Sequence, residues 1–241
     1  MGIGTCVSTG FIKMRLINER TLQEGVDYLT GIEHSFARVI STYGIPPLWL
    51  RPPGFATLIL IILEQQVSLQ SARKAYERLQ EKLGQITIDG FLGLTDKELK
   101  VIGFSRQKTG YCRELAMCIR DKTLDLDKLE HFDTGEVIRA LTAIRGIGQW
   151  TSRIYLIMAL RRADIWPSGD LALRKSFADL NQLPELLDDS SMETAAEKWK
   201  PWRAVAARIL WHYYLSQNND PGITNKQLQN TPQEVNLQKF T

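Results

Sequence analysis

Cysteine is scarce in this chain. There are three in 241 residues: Cys6, Cys112 and Cys118. No two form a CxxC pair and none has zinc-ligand spacing, so neither a disulfide framework nor a thiolate metal site is indicated. Such sparse use fits a reducing compartment, the cytoplasm. Cys112 and Cys118 fall in a helical segment and read as small buried apolar residues. Strand-like alternation is nearly absent, with "GQITIDGF" at 84–91 the one weak example. Long apolar runs are lacking as well. The longest, "FATLILIILE" at 55–64, is too short to cross a bilayer and ends on Glu64, so it reads as a buried helix and no membrane partner is expected. The opening "MGIGTCVSTGFIKM" has neither the basic start nor the small-residue cleavage site of a signal peptide, and Met14 offers a second start. No repeat of 20–50 residues is evident. Strong net charge is missing too: 30 Lys and Arg stand against 27 Asp and Glu, a balance of +3. An anionic partner must therefore be held by a local patch.

What is present is helix after helix. Apolar residues recur at helical spacing through "ERTLQEGVDYLTGIEHSFARVISTYG", which ends on Gly44. "IPPLWLRPPG" is a stiff connector, because proline fixes φ and removes a donor. The buried run 55–64 follows, then "LQSARKAYERLQEKLG" with its glycine stop. Thr95 is placed to cap "DKELKVIG", and Thr134 to cap "GEVIRALTAIRG". Further helices are expected at 148–162, 171–180, 192–199 and 201–217. From Ser216 onward the chain is polar and rich in turn formers, a loose tail. The expected class is all-α.

Two stretches carry chemistry. In "RGIGQWT", residues 145–151, glycines flank one apolar residue, which permits a very tight turn. Ile147 plugs that turn into the core. The helix that starts near Gly148 leaves its first N–H groups without partners. With the helix dipole, those donors suit a phosphate. Gly146, Ile147, Gly148 and Thr151 are thus candidates for gripping a nucleic-acid backbone without reading its sequence. An ordinary helix corner is the plainer account of a lone GxG. The second stretch is "IWPSGDLALRKSF", where Asp170 follows a loop that resets the chain direction. Helix capping explains most such acids. A carboxylate placed beside DNA is electrostatically unwelcome, however, and catalysis would explain it. Asp164 is the second choice, with "RRAD" reading as an exposed helix end. Trp150, Trp202 and Trp211 could line a pocket that stacks on a flipped, electron-poor base. Aromatic stripes are otherwise core, and Trp199 and Tyr214 read that way.

Taken together, "ILEQQVS" (62–68), "GFSRQKTGYCRELA" (103–116), "LTAIRGIGQWTS" (141–152), "IWPSGDLALRKSF" (165–177) and "WKPWRAVAARILW" (199–211) resemble the helix–hairpin–helix DNA glycosylases with a catalytic Asp, and most of all the AlkA-type 3-methyladenine DNA glycosylases. They stand in family order across about residues 50 to 215. The resemblance implies two helical subdomains with a cleft between them. Residues 54–135 would form the central one; 1–53 and 136–215 would form the other, with 216–241 as tail. It implies Asp170 as the catalytic acid, Gly146, Ile147 and Gly148 as the hairpin, Trp150 and Trp211 in the base pocket, and Gln65 and Gln66 in the loop that fills the gap left in the duplex. Glu64 stands where a small residue is common, and Ile154 where AlkA has an aromatic. The β-rich amino-terminal domain of the larger enzymes has no counterpart here. Arg106, Lys108 and Arg145 are candidates for phosphate contact, with plain surface solvation as the alternative.

The activity implied is hydrolysis of the N-glycosidic bond of an alkylated purine, 3-methyladenine or 7-methylguanine, in a monomer acting on damaged double-stranded DNA. In bifunctional members of the superfamily a lysine stands where this chain has Trp150, so strand cleavage through a Schiff base is not expected. No cysteine follows Cys118, so the four-cysteine iron–sulfur site is not expected either, and no cofactor is implied beyond a monovalent cation on the hairpin carbonyls. Two other readings remain: a non-catalytic hairpin module that only holds DNA, and a glycosylase for oxidised or mismatched bases.

Overall fold

The computed structural model describes residues 15–217. The expected leader, with Cys6 and the Met14 start, lies outside the described residues. So does the expected tail, apart from Ser216 and Gln217, which end the last helix. Twelve α-helices make up the described residues, with no strand; one isolated antiparallel bridge joins Leu16 to Arg162. None of the helices is long and apolar enough to cross a membrane.

The helices are α1 (Glu19–Ile32), α2 (His34–Tyr43), α3 (Phe55–Glu64), α4 (Leu69–Leu83), α5 (Ile88–Gly93), α6 (Asp96–Ile102), α7 (Arg106–Arg120), α8 (Thr134–Thr142), α9 (Gln149–Met158), α10 (Leu171–Leu180), α11 (Asp189–Ala196) and α12 (Arg203–Gln217). Short 3₁₀ turns occupy Asp127–Glu130 and Glu197–Trp199. Most starts are set by a short polar side chain that satisfies a first-turn N–H. Ser68, Thr87, Thr95 and Ser105 cap α4, α5, α6 and α7 in this way.

Several expectations change. "GQITIDGF" is no strand: Thr87 caps the single turn and a half of α5, and tertiary packing of Phe91 overrides the β-branched residues. Asp133, not Thr134, caps α8, through a reciprocal capping box with Glu136. Thr134 instead accepts a hydrogen bond from Arg162. The first helical stretch breaks at Glu33, whose extended φ and ψ separate α1 from α2. Its carboxylate meets Lys198 at 2.5 Å, and the indole N–H of Trp199 at 3.4 Å. "RRAD" is not an exposed helix end. α9 stops at Met158, Arg162 is buried, and it donates to the carbonyls of Leu129 and Phe132.

α3 organises the interior. It is apolar all round, and such a helix must be enclosed on every side. Phe55, Leu58, Ile59, Ile61, Ile62 and Leu63 are all buried. It packs on α4 and α7 on one flank and on α9 on another. α5, α6 and α7 close the first group. α1, α2, α10 and α12 pack together as a second group, and α8 lies along α9. The 44–54 connector ties into this second group through Arg208 of α12, which has no exposed surface. Its guanidinium donates to the carbonyls of Leu48 (3.0 Å), Ala204 (3.0 Å) and Ile157 (3.1 Å), joining connector, α12 and α9. Burial pulls its pKa down to about 9.

Arg208→Ala is expected to destabilise the fold by about 3 kcal/mol, since the Leu48 and Ile157 carbonyls would be left buried without donors. Urea unfolding would show a lower midpoint at unchanged slope. A loss below about 1 kcal/mol would mean that water replaces the guanidinium without cost.

Candidate active site

Three local structures converge. The first is the hairpin between α8 and α9. Gly146 has φ +90°, a left-handed value open to glycine. The ring of Tyr111 from α7 lies directly against it: a Cβ at 146 would sit 2.0 Å from the ring. Glycine is thus required twice at this position, for conformation and for space. Ile147 is buried, as the plug in the core. Gly148 is the N-cap of α9 and offers no side-chain cap, whereas Asp133 and Asp170 cap the chain-neighbouring α8 and α10. The first N–H groups of α9 remain available to an external anion. Arg145 and Arg106 are exposed near this turn and near the start of α7.

The second is the loop 165–170. Trp166 is buried with its ring 5.3 Å from that of Trp199, which anchors the chain before the turn. Ser168 hydrogen bonds to Glu193 of α11, and Glu193 in turn pairs with Arg153 of α9 at 3.2 Å. Gly169, at φ +83°, turns the chain so that Asp170 becomes the N-cap of α10. One carboxylate oxygen of Asp170 accepts the Leu173 backbone N–H at 3.1 Å. The other accepts the indole N–H of Trp150 at 3.0 Å. Capping and a second task thus coexist on one carboxylate, one oxygen for each. Enclosure by protein raises the Asp170 pKa, against the opposing pull of hydrogen bonds from Trp150, Leu173, Trp211 and Ala172. All of those donors are uncharged. Asp170 still keeps part of its surface open to solvent.

Two further acids singled out in the sequence, Glu64 and Asp164, are held in ion pairs. Glu64 makes a two-pronged pair with Arg51, at 2.8 and 2.7 Å. Asp164 is held by Arg203 at 2.7 Å. Neither is available as a second unpaired carboxylate. Among the described residues no cluster of three His, Cys, Asp or Glu side chains could hold a metal ion.

The third is the turn between α3 and α4. Gln66 is exposed at φ +56°. Gln65 faces inward, its amide donating to the Gly146 carbonyl and to the Thr151 hydroxyl, both at 2.9 Å. Two neighbouring glutamines read together from the sequence thus take different tasks. Thr151 is buried and receives Gln65; it is not on the surface of the hairpin. Lys108, proposed from sequence to reach a phosphate, donates instead to the carbonyls of Leu63 (2.6 Å) and Gln65 (2.8 Å). Burial pulls its ammonium below the ordinary lysine value.

The aromatics divide. Trp150 and Trp211 both reach Asp170 and are only partly buried. Trp202 is not brought there. It is 5% exposed, packs where Gly25 of α1 leaves room, and carries the Arg15 guanidinium 4.3 Å above its ring. Its sequence neighbourhood could not separate it from Trp211, since both precede or lie on one helix. Ile154 is buried in the core. Sequence reasoning missed Tyr111, Arg51 and Glu193, whose partners lie 35, 13 and 25 residues away. No local pattern marks such pairs.

Comparison with known proteins gives a consistent picture. A model of the HhH-GPD superfamily of base excision DNA repair proteins matches residues 59–204. The chain is 29% identical over 202 residues to a DNA-3-methyladenine glycosylase of Saccharomyces cerevisiae, covering 69% of this chain and 68% of that one. It is 26% identical over 195 residues to DNA-3-methyladenine glycosylase 1 of Schizosaccharomyces pombe, covering 76% and 84%. The fold is similar to the solved structure of a Schizosaccharomyces pombe 3-methyladenine DNA glycosylase in complex with abasic DNA. That match has a TM-score of 0.74 at 23% identity and covers 83% of this chain and 99% of the other.

Asp170 is expected to titrate above the ordinary carboxylate value of about 3.9. Trp150→Phe removes a hydrogen bond that favours the ionised form, so the pKa should rise further. Carboxyl ¹³C chemical shifts followed against pH would measure both. A downward move in the Phe variant would mean that the indole does not stabilise the carboxylate.

Proposed function

Because the chain belongs to the HhH-GPD superfamily of base excision DNA repair proteins, we propose that it hydrolyses the N-glycosidic bond of alkylated purines in double-stranded DNA, with Asp170 as the catalytic residue. The observation that carries this reading is the carboxylate itself. Hydrogen bonds from Trp150 and Leu173 hold one oxygen each, no cation is among the groups that tune it, and it keeps a solvent-facing side. Cleavage builds positive charge on the sugar, and a fixed carboxylate beside the anomeric carbon stabilises that charge. The same carboxylate can orient or deprotonate the attacking water. Glycoside hydrolases that release a neutral leaving group use a second acid. Here Glu64 and Asp164 are both in ion pairs. A single acid suffices when the leaving base already carries positive charge, as an alkylated purine does. The exposed parts of Trp150 and Trp211 flank the carboxylate and suit stacking on such a base by about 0.5–2 kcal/mol. The uncapped start of α9 supplies donors for the phosphate backbone. Flipping the target out of the stack costs a few kcal/mol, least for damaged or mispaired bases.

Asp170→Asn is expected to reduce base release from methylated DNA by at least about 100-fold while leaving DNA affinity equal or higher, because one repulsive charge is lost. In single-turnover assays of the wild type, 3-methyladenine should leave first and 7-methylguanine next, with 8-oxoguanine far behind. Near-normal turnover by the Asn variant would remove Asp170 from the chemistry. Faster release of 8-oxoguanine would reject selection by charge and favour an oxidised-base glycosylase.

Trp150 occupies the position at which the family resemblance puts a lysine in strand-cleaving enzymes, and an indole cannot form a Schiff base. Borohydride added during turnover should therefore trap no protein–DNA adduct, as judged by denaturing gels. A trapped adduct would identify an amine nucleophile and overturn the monofunctional reading.

A further inference from the structure

Lys108 sits in the first turn of α7, where a positive charge opposes the helix dipole. Its ammonium leaves that helix and reaches the C-terminal end of α3, where free carbonyls favour a cation. It donates to Leu63 O at 2.6 Å and Gln65 O at 2.8 Å, so it spans the last turn of α3 and the first residue beyond it. Gln65 then carries the connection onward, its amide donating to Gly146 O and Thr151 Oγ1. One turn after Lys108, the ring of Tyr111 supports Gly146 from beneath. Lys108, Tyr111, Gln65, Gln66, Gly146 and Gly148 line one groove of about 370 Å³. Gln66, next in the chain, is exposed in the left-handed region, a conformation that a non-glycine residue keeps only when its neighbours impose it.

We propose that Lys108 is a positioning residue for DNA engagement: by holding the Leu63 and Gln65 carbonyls it presets the turn that presents Gln66, and locks that turn to the phosphate-facing hairpin as one unit. This rests on the DNA glycosylase reading above and assigns Lys108 a part in it other than phosphate contact. A turn already ordered before binding spares the complex the entropy of ordering it. The benefit falls on complexes in which Gln66 enters the duplex, and not on the general grip of the hairpin on phosphates.

The test compares Lys108→Met, Lys108→Arg and Gln66→Ala in the full chain, with thermal melting as a check of folding. Fluorescence anisotropy would give affinities, over a range of salt, for a duplex carrying a tetrahydrofuran abasic analogue and for the undamaged duplex of the same sequence. A 2-aminopurine opposite the abasic position would report unstacking by the turn. Lys108→Met is expected to weaken binding to the abasic duplex about tenfold, with the undamaged duplex and the salt slope unchanged and the 2-aminopurine signal reduced. Lys108→Arg, which can still donate to both carbonyls, should recover most of the loss. Gln66→Ala should add little in the Met background, since the two changes remove one function. Equal loss on both duplexes with a salt slope lowered by about 0.9 would mark a phosphate contact and overturn the proposal. No change on either duplex would overturn it as well. Should Lys108→Met fail to fold, Gln65→Ala must give the same selective loss, or the proposal falls. Selective loss in a protein that releases no base would leave Lys108 in place and refute the glycosylase reading. Base release with uniform loss would do the reverse, and a wild type that binds no DNA refutes both.

Discussion

The structure depends on where one carboxylate is held. Asp170 caps α10 with one oxygen and takes the Trp150 indole N–H on the other. Each bond restricts the carboxylate from a different direction, and neither donor neutralises its charge. Enclosure makes ionisation harder, and hydrogen bonds make it easier; the first effect prevails, so the pKa rises. An acid of that kind is retained only if the surroundings are rigid enough to fix it. The rigidity comes from the loop before it, pinned at Trp166 against Trp199 and at Ser168 against Glu193.

The same logic extends outward. Trp150 can reach Asp170 because α9 starts at Gly148, directly after a hairpin compressed onto Tyr111. The hairpin is joined to the α3–α4 turn by Gln65, and that turn to α7 by Lys108. α3 beneath them is fixed by burial on all sides. A chain of short contacts thus runs from the hydrophobic interior to the exposed turn at Gln66. Arg51 and Arg203 hold Glu64 and Asp164 in ion pairs, so neither acid is left with an uncompensated charge. A pair such as Arg51–Glu64, with little exposure, adds little net stability, because desolvating the two charges offsets their attraction.

Legibility in the sequence varied with the range of the interaction. Helices followed from apolar spacing, and the start of α6 from its cap at Thr95. The one cap that differs is a local competition between neighbours: Asp133 prevails over Thr134, because a capping box with Glu136 satisfies two donors. The weak strand signal at 84–91 gives way to α5, since three apolar residues in a short run carry either period. The candidate site was readable where a motif lies in one short stretch: the 145–151 turn has the positive-φ Gly146 and the buried Ile147, and Asp170 begins α10. It was unreadable where side chains from distant helices choose among partners. Trp202 and Trp211 lie nine residues apart, and one goes to the core and the other to the acid. Lys108 carries the same charge whether it meets a phosphate or two carbonyls.

The sequence alone determined the all-helical class, the family resemblance, the hairpin and the candidate acid. Those depend on periodicity, on glycine's access to positive φ and on residue type, all of which are properties of neighbours in the chain. Only the tertiary structure decided that Gln65 turns inward while Gln66 stays out, that Lys108 serves the protein's own backbone, and that Glu64 and Asp164 are already paired. Each of these is a choice among partners 13 to 86 residues away, settled by which carbonyl, hydroxyl or counter-charge the packing of the helices brings within hydrogen-bond reach.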